Sequence, residues 1–220
     1  RRNLLAEGLP ARRILVTGSP MSEVIQHYRP LIQKSDILTR LEVTKGDFVL
    51  VSAHRQENVD HPQRLKSLLM CIRAISTEWD IPIVVSTHPR TRQKLEATGD
   101  YLLDNATFHE PFGFLDYCHL QQQAFCVVSD SGTISEEAAI MGFPAITTRS
   151  STERPEALDS GSILMTDRRP EDVVRCIRVA VGDGKPRSVP TEYTVTDTSI
   201  RVRNFILSTA HEHNFWAGLR

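Results

Sequence analysis

Residues 126–141 read CVVSDSGTISEEAAIM, and this stretch decides the fold class of the chain. Its first four residues form a short, nearly continuous apolar run, which is typical of a strand buried on both faces of a parallel sheet. A Ser-Gly-Thr turn at residues 131–133 follows, and a helical pattern begins at Ile134. A strand that passes through a tight turn into a helix is the repeating unit of α/β domains.

The same pattern recurs along the chain. Apolar runs that predict strands occupy Ile14–Val16, Phe48–Ser52, Ile83–Ser86, the weaker Ala106–Phe108, Cys126–Ser129, Ala145–Thr148 and Ser162–Met165. Amphipathic segments that predict helices occupy Arg64–Glu78, Arg90–Ala97, Leu115–Gln122, Ile134–Met141, Glu171–Val181 and Thr198–His211. Because strand and helix alternate, the sequence predicts a Rossmann-like, doubly wound parallel sheet built from right-handed βαβ units.

The composition narrows the class of function. Lys and Arg number 26 against 27 for Asp and Glu, which gives a formal net charge of −1. Non-specific binders of nucleic acid or anionic membranes depend on excess positive charge, so the sequence argues against both. The four cysteines stand singly, which argues against a zinc site and favours a reducing, cytoplasmic compartment. No apolar run approaches the roughly 20 residues that span a bilayer, and no signal peptide is visible.

The pattern also divides the chain into three parts. Residues 1–181 carry the strand–helix repeat and form the predicted sheet domain. Residues 182–197 contain glycines and prolines without apolar periodicity, which predicts a linker, and residues 198–220 contain the last helix. Because the chain opens on Arg1 and its first methionine is Met21, we expect further sequence upstream.

Polar clusters follow the predicted strands, and ligands of open α/β sheets bind beyond the carboxyl ends of strands. Residues 16–20 form a turn that is either a plain loop or a loop facing the cleft. After the next run, His54 and Arg55 stand together beside Glu57 and Asn58. This pair suits a diphosphate, because arginine offers a planar fork of donors and histidine can share a proton. The alternative is an ordinary surface histidine.

Two further clusters are open to two interpretations. Pro111 and Phe112 form either an apolar slot for a flat base or an ordinary part of the core. Arg149 and Arg154, which follow the Ala145–Thr148 run, either face the same cleft or belong to a solvated charged surface. Neither cluster identifies a ligand by itself.

The turn at residues 131–133 is the most specific signal. The free amides at the start of the following helix, together with its dipole, make an anion site, and Gly132 allows a phosphate to approach the backbone. Ser131 and Thr133 add hydroxyl donors, and a carboxylate in the first helical turn can accept from two vicinal ribose hydroxyls. The alternative is a capping box formed by Asp130 or Ser131 with Thr133 and Glu136. The dinucleotide spacing G-x-G-x-x-G is missing.

Three strings in register resemble the non-hydrolysing UDP-N-acetylglucosamine 2-epimerases, namely HRQEN at 54–58, SDSGTISEE at 129–137 and ERPE at 153–156. Their order and spacing match over roughly residues 1–181. The resemblance implies a GT-B-type enzyme of two domains with the active site between them. This chain is similar to the C-terminal, UDP-binding domain, and its last helix is expected to pack toward the missing N-terminal domain.

The resemblance also implies roles for the matching residues. His54 is the expected catalytic residue and diphosphate contact, Glu137 the ribose contact, and the Pro111-Phe112 stretch the uracil-binding loop. Together, the motifs and the resemblance predict that UDP contacts His54, Arg55, Pro111, Phe112, Ser131, Gly132, Thr133, Glu137 and Arg154. No metal and no cofactor are implied, and the expected ligands are UDP and a UDP-N-acetyl-amino-sugar.

The family's reaction removes the proton at C2 with anti elimination of UDP and then re-adds UDP with the opposite C2 configuration. The family's acid and base carboxylates lie in the other domain, so we expect this chain alone to bind UDP weakly without epimerising. The full-length protein is expected to be a homodimer. The alternatives are the nucleotide half of a GT-B glycosyltransferase and a non-catalytic UDP-sugar sensor.

This sequence departs from the common family pattern at Gln56 and at residues 86–89 and 132–135. Some family members bind a second, allosteric UDP-N-acetylglucosamine near these positions, and that regulation is not expected here. The strings at 16–21 and 131–137 are more similar to a sub-branch that converts UDP-2-acetamido-2,6-dideoxy-L-talose to its L-fucose isomer. Such an activity would serve the biosynthesis of a capsule or O-antigen polysaccharide.

Overall fold

The structure, a computed structural model, describes residues 1–53, 62–87, 103, 105–149, 151–152, 154–182 and 188–219. The chain forms two compact units, Tyr28–Pro190 and a second unit made of Arg1–His27 with Thr191–Arg220. This division differs from the predicted boundaries, because residues 1–27 group with the C-terminal segment and not with the sheet.

The larger unit contains a six-stranded sheet in which every pairing is parallel. Its strands are β1 (Val49–Ala53), β2 (Ile83–Thr87), β3 (Ala106–His109), β4 (Cys126–Ser129), β5 (Ala145–Thr147) and β6 (Leu164–Met165). They lie in the order β3-β2-β1-β4-β5-β6, which is the Rossmann order. The predicted α/β, doubly wound parallel sheet is therefore confirmed.

The helices alternate with these strands. In chain order they are α1 (Arg2–Ala6), α2 (Pro20–Ile32), α3 (Ile37–Arg40), α4 (Pro62–Trp79), α5 (Phe114–Gln123), α6 (Ile134–Met141), α7 (Pro155–Asp159), α8 (Pro170–Gly182), α9 (Thr198–Thr209) and α10 (His213–Ala217). Short 3-10 turns occupy Ala11–Arg13, Thr191–Tyr193 and Ala210–Glu212. The predicted helix Arg90–Ala97 lies outside the described residues. None of the helices in the described part of the chain is long and apolar enough to cross a membrane.

Both faces of the sheet are covered. On one face, Ile72 and Ile75 of α4 and Val173 and Ile177 of α8 pack in one buried cluster with alternate strand residues such as Val51. The intervening strand residues point to the other face and are equally buried, as a doubly wound sheet requires. Full burial of each such side chain contributes about 1.5–3 kcal/mol, so these near-continuous apolar strands are stable only inside the domain.

The smaller unit corrects one predicted strand. Ile14–Val16 is not a strand, and Leu15 and Val16 are 42% and 45% exposed, so the described part of the chain does not bury this run. The loop that follows is bound to the C-terminal segment, where Thr198 Oγ1 donates to the Thr17 carbonyl at 3.0 Å. Part of the predicted linker also packs in this unit, since Tyr193 is only 5% exposed.

Candidate functional site

A row of polar residues lies in register across the carboxyl edge of the sheet. Ser52 of β1 pairs with Ser86 of β2 on one side and Ser129 of β4 on the other, and Ser129 pairs with Thr147 of β5. After β1 the next strand, β2, is added on one side of the sheet, and after β4 the next strand, β5, is added on the opposite side. A crevice forms where the strand order reverses in this way, and it is the usual ligand position in open α/β sheets. The two strongest sequence motifs follow the two strands that flank this point.

The turn between β4 and α6 is held by its own hydroxyl groups. Ser129 Oγ accepts from the Ser131 amide at 3.0 Å, and Ser131 Oγ accepts from the Thr133 amide at 3.3 Å. Ser131 Oγ and Thr133 Oγ1 lie 3.0 Å apart and form a hydrogen bond in which either hydroxyl can donate. These bonds fix a compact Ser-Gly-Thr corner directly beyond β4.

Helix α6 begins at this corner without the predicted capping box. Thr133 is the N-cap residue, and its side chain makes no capping hydrogen bond. Thr133 therefore does not close the predicted box, because its hydroxyl contacts Ser131. The Ser131 part of the alternative is retained, since Ser131 Oγ accepts from the Thr133 amide at the start of the helix. The positive end of the α6 dipole lies at the crevice, where it favours an anion.

Two guanidinium groups converge on Gly132. A β-carbon added at Gly132 would lie 3.0 Å from Arg154 Nη1 and 3.3 Å from Arg149 Nη1. Arg154 Nη1 donates to the Gly132 carbonyl at 3.1 Å, and Arg154 Nε lies 3.2 Å from Glu136 Oε2. Arg149 is 5% exposed, so it is not part of a solvated charged surface. The structure thus brings both arginines, left open by the sequence, to the predicted phosphate corner.

Glu137 lies one helical position further into α6 and is 8% exposed. Burial raises the pKa of its carboxyl group, and hydrogen bonds from Gln121 and Thr133 oppose this shift. Gln121 is fully buried, and its Nε2 donates to Glu137 Oε2 at 2.5 Å. Gln121 is not among the residues predicted from the sequence, although an amide beside the buried residues Cys118 and Leu120 of α5 is a usable signal.

Tyr117 of α5 is a second residue near the corner that is not among those predicted from the sequence. Its hydroxyl oxygen is buried and has no hydrogen-bond partner among the described residues, and the same is true of the hydroxyls of Ser52 and Thr147. Burial raises the pKa of Tyr117, and the nearby hydroxyls of Ser52 and Ser129 oppose this without forming a well-directed hydrogen bond to its oxygen. Tyr117 is therefore a buried, uncharged polar group near Ser52 and Ser129.

The predicted uracil loop follows the edge strand β3. The ring of Phe112 is partly exposed and lies 5.4 Å from the ring of His109, measured between centroids, while Pro111 is exposed. These two residues do not belong to the buried core of the larger unit, which disfavours the plain-core alternative. Their contact with a base stays a prediction.

Some predicted site residues lie outside the described residues. They are His54, Arg55, the rest of the 54–58 motif and Glu153. The motif follows Ala53, the last residue of β1, and next to it the Asp130 amide donates to the Ser52 carbonyl at 3.3 Å. In the described ranges, no group of three or more His, Cys, Asp or Glu residues could hold a metal ion.

The fold and the corner together define a Rossmann-like α/β domain with a place for an anion at its switch point. A family model described as UDP-N-acetylglucosamine 2-epimerase matches residues 1–207. The chain therefore belongs to the UDP-N-acetylglucosamine 2-epimerase family, whose solved structures have the GT-B-type fold.

Individual relatives agree with this assignment. The chain is 31% identical over 186 residues to the UDP-N-acetylglucosamine 2-epimerase of Methanocaldococcus jannaschii. The aligned region covers 81% of this chain and 51% of the relative. The solved 2-epimerase of Rickettsia bellii is similar at TM-score 0.89 and 36% identity, over 97% of this chain and 58% of that one. The M. jannaschii enzyme, solved in complex with UDP-GlcNAc and UDP, is similar at TM-score 0.84 and 26% identity, over 94% and 58%. The chain spans about half the length of the curated relatives it matches.

Proposed function

We propose that this chain is the UDP-binding half of a UDP-2-acetamido-sugar C2 epimerase. The observation that carries the proposal is the corner at Gly132, where the start of α6 and the guanidinium groups of Arg149 and Arg154 converge. A diphosphate matches this arrangement, because it presents several charged oxygens to backbone amides and planar guanidinium donors at once.

The parts of UDP are assigned along the edge of the sheet. The phosphates contact Ser131, Gly132 and Thr133, supported by Arg154. The ribose hydroxyls donate to the carboxylate of Glu137, which lies beside the corner. The remaining contacts are the predicted ones, with uracil at Pro111-Phe112 and the diphosphate also at His54 and Arg55.

The proposed reaction uses this corner to stabilise a leaving group. A base removes the C2 proton while the C1–O bond to UDP breaks, which gives free UDP and a 2-acetamidoglucal. UDP then re-adds at C1, and a proton returns to C2 from the opposite face, so atoms and electrons balance without an external oxidant. Because the C2 hydrogen is weakly acidic, donors aimed at the departing diphosphate lower the barrier, and this is the contribution of the present half. His54 is the catalytic residue that we assign to this half.

The rest of the enzyme is also proposed. The sheet unit Tyr28–Pro190 is the UDP-binding domain, and the C-terminal helix within residues 198–220 packs toward an N-terminal domain that carries the acid and base carboxylates. Exposed apolar side chains on the C-terminal helices support this, since Leu207 is 72% and Phe215 77% exposed. The full-length protein is a cytoplasmic homodimer.

The substrate is either the UDP-GlcNAc/ManNAc pair or the UDP-2-acetamido-2,6-dideoxy-L-talose/L-fucose pair, the latter in capsule or O-antigen biosynthesis. Incubation of the full-length protein with each UDP-sugar in heavy water tests reaction and substrate together. Deuterium at C2 of one sugar supports the epimerase and identifies its substrate. Bound UDP-sugar without exchange would indicate a sensor, and UDP release that requires an acceptor would indicate a glycosyltransferase. Either result overturns the proposal.

A further inference from the structure

Gln121 is an unusual residue for its position. It lies on α5, is fully buried, and reaches α6 to donate from Nε2 to Glu137 Oε2 at 2.5 Å. Its other amide atom, Oε1, is buried with no hydrogen-bond partner among the described residues. An unsatisfied buried oxygen costs about 1–3 kcal/mol, so a residue that only filled space here would be apolar. The hydrogen bond to Glu137 explains why an amide side chain, and not an apolar one, occupies position 121.

The surroundings of Glu137 oppose its charge. Burial raises the pKa of its carboxyl group most, and the neighbouring Glu136 raises it further. Gln121 and Thr133 lower it through hydrogen bonds, and Arg154 lowers it through its charge.

The groups that α5 presents to this carboxyl are neutral. Burial raises the pKa of the Cys118 thiol to about 12, and burial also raises the pKa of Tyr117. Both are uncharged near neutral pH, so neither replaces the donor that Gln121 supplies.

The bond from Gln121 leaves Glu137 able to bind a ligand. An ionised carboxylate has about four acceptor positions on its two oxygens, whereas a protonated carboxyl group loses part of that capacity. The two vicinal ribose hydroxyls need an acceptor that is ionised and whose oxygens are oriented toward them. A single strong donor on one oxygen fixes the orientation of the carboxylate and favours its ionised form.

We propose that Gln121 is a positioning residue whose amide holds the Glu137 carboxylate in the form that accepts the ribose hydroxyls. This role rests on the proposed UDP site. It makes Gln121 the residue that sets the preference for a ribose over a 2′-deoxyribose nucleotide, although it does not touch the nucleotide itself.

The test uses two variants of similar size with opposite expected pH dependence. Gln121→Met removes the donor, so Glu137 protonates more readily, and the affinity ratio of UDP to 2′-deoxy-UDP falls about tenfold at the acid end of the range and recovers as the pH rises. Gln121→Glu shares one proton between two carboxyl groups, so the ratio is retained while the pair holds that proton and falls as the pH rises and the proton is lost. The ratio cancels the titration of the diphosphate, which both ligands share.

Affinities are measured by calorimetry between pH 5.5 and 8.5 for UDP, 2′-deoxy-UDP and pyrophosphate. Gln122→Met, on the partly exposed side of α5, is the matched control and is expected to behave like the wild type. Equal losses for UDP and pyrophosphate, or a ratio unchanged in both Gln121 variants, would overturn the role of Gln121 and leave the UDP site standing. A wild-type chain that binds 2′-deoxy-UDP as well as UDP would overturn the ribose contact of Glu137 and the role of Gln121 together. If one of the two Gln121 variants does not fold, the other tests the proposal alone: the expected direction of its pH dependence supports the role of Gln121, and the opposite direction overturns it.

Discussion

Replacing Glu137 with glutamine is expected to stabilise the free chain and to weaken UDP. The carboxyl group is 8% exposed, and burial raises its pKa above the ordinary value of 4.5. Glutamine has nearly the same size and still offers an oxygen to Gln121 Nε2. The substitution therefore removes a buried charge while it keeps the packing and the hydrogen bond between α5 and α6.

The sign of the pH dependence follows from proton binding. With a raised pKa, the folded state holds a proton on Glu137 at pH values where the unfolded state has lost it. The stabilisation of the folded state that comes from this raised pKa is full below about pH 4.5. It is lost as the pH rises through the folded-state pKa of Glu137. Above that pKa, Glu137→Gln is expected to have the higher melting temperature, and below pH 4.5 the two chains are expected to converge.

Glu137→Gln is also expected to weaken the binding of UDP, because the ribose hydroxyls lose a charged acceptor. Hydrogen bonds to a charged acceptor contribute about 1.5–3 kcal/mol and those to a neutral one about 0.5–1.5 kcal/mol. Two ribose hydroxyls that lose the charged acceptor therefore lose about 2 kcal/mol together, or roughly 30-fold in affinity. Pyrophosphate, which has no ribose, is expected to bind equally well to both chains.

Thermal unfolding with and without each ligand between pH 4 and 8 measures both effects, because a ligand stabilises in proportion to RT ln(1 + [L]/Kd). Glu42→Gln, at an exposed acid in the turn after α3, is the matched control and is expected to change neither quantity. A variant that is less stable than the wild type at pH 7 would refute the reasoning about burial. A variant that loses UDP and pyrophosphate equally would refute the ribose contact.

Three further substitutions test other contacts. Gly18→Ala is expected to destabilise the chain by about 1–2 kcal/mol or more, because Gly18 has φ +86° and an added β-carbon would lie 2.5 Å from Val195 Cβ; unchanged denaturant unfolding would contradict this. Gly132→Ala is expected to displace the Arg154 guanidinium and weaken UDP about tenfold with little change in melting temperature, and calorimetry showing unchanged affinity would remove the corner from the site. Tyr117→Phe deletes a buried hydroxyl without a partner in the described ranges, so its melting temperature is expected to stay equal or rise by about 2–4 °C; a clear fall would show that the hydroxyl is bonded.

Much of the fold followed from local pattern. The strand Cys126–Ser129 and the helix Ile134–Met141 were predicted with their observed bounds, because apolar periodicity and turn residues are properties of neighbouring positions. Ile14–Val16 has the same apolar appearance and is not a strand. A short apolar run becomes a strand only where other strands offer hydrogen bonds, and that depends on distant parts of the chain.

The residues of the corner also fall into two groups, those that the sequence alone indicated and those that only the tertiary structure brought together. The sequence alone determined that a serine–glycine–threonine turn joins a buried strand to a helix, and that acids follow in its first turn. Tertiary packing decided that Arg149 reaches Gly132 and that Gln121, 16 positions earlier, meets Glu137. Periodicity fixes which way each side chain leaves its own helix or strand, whereas the partner it meets is fixed by how the helices pack on the sheet.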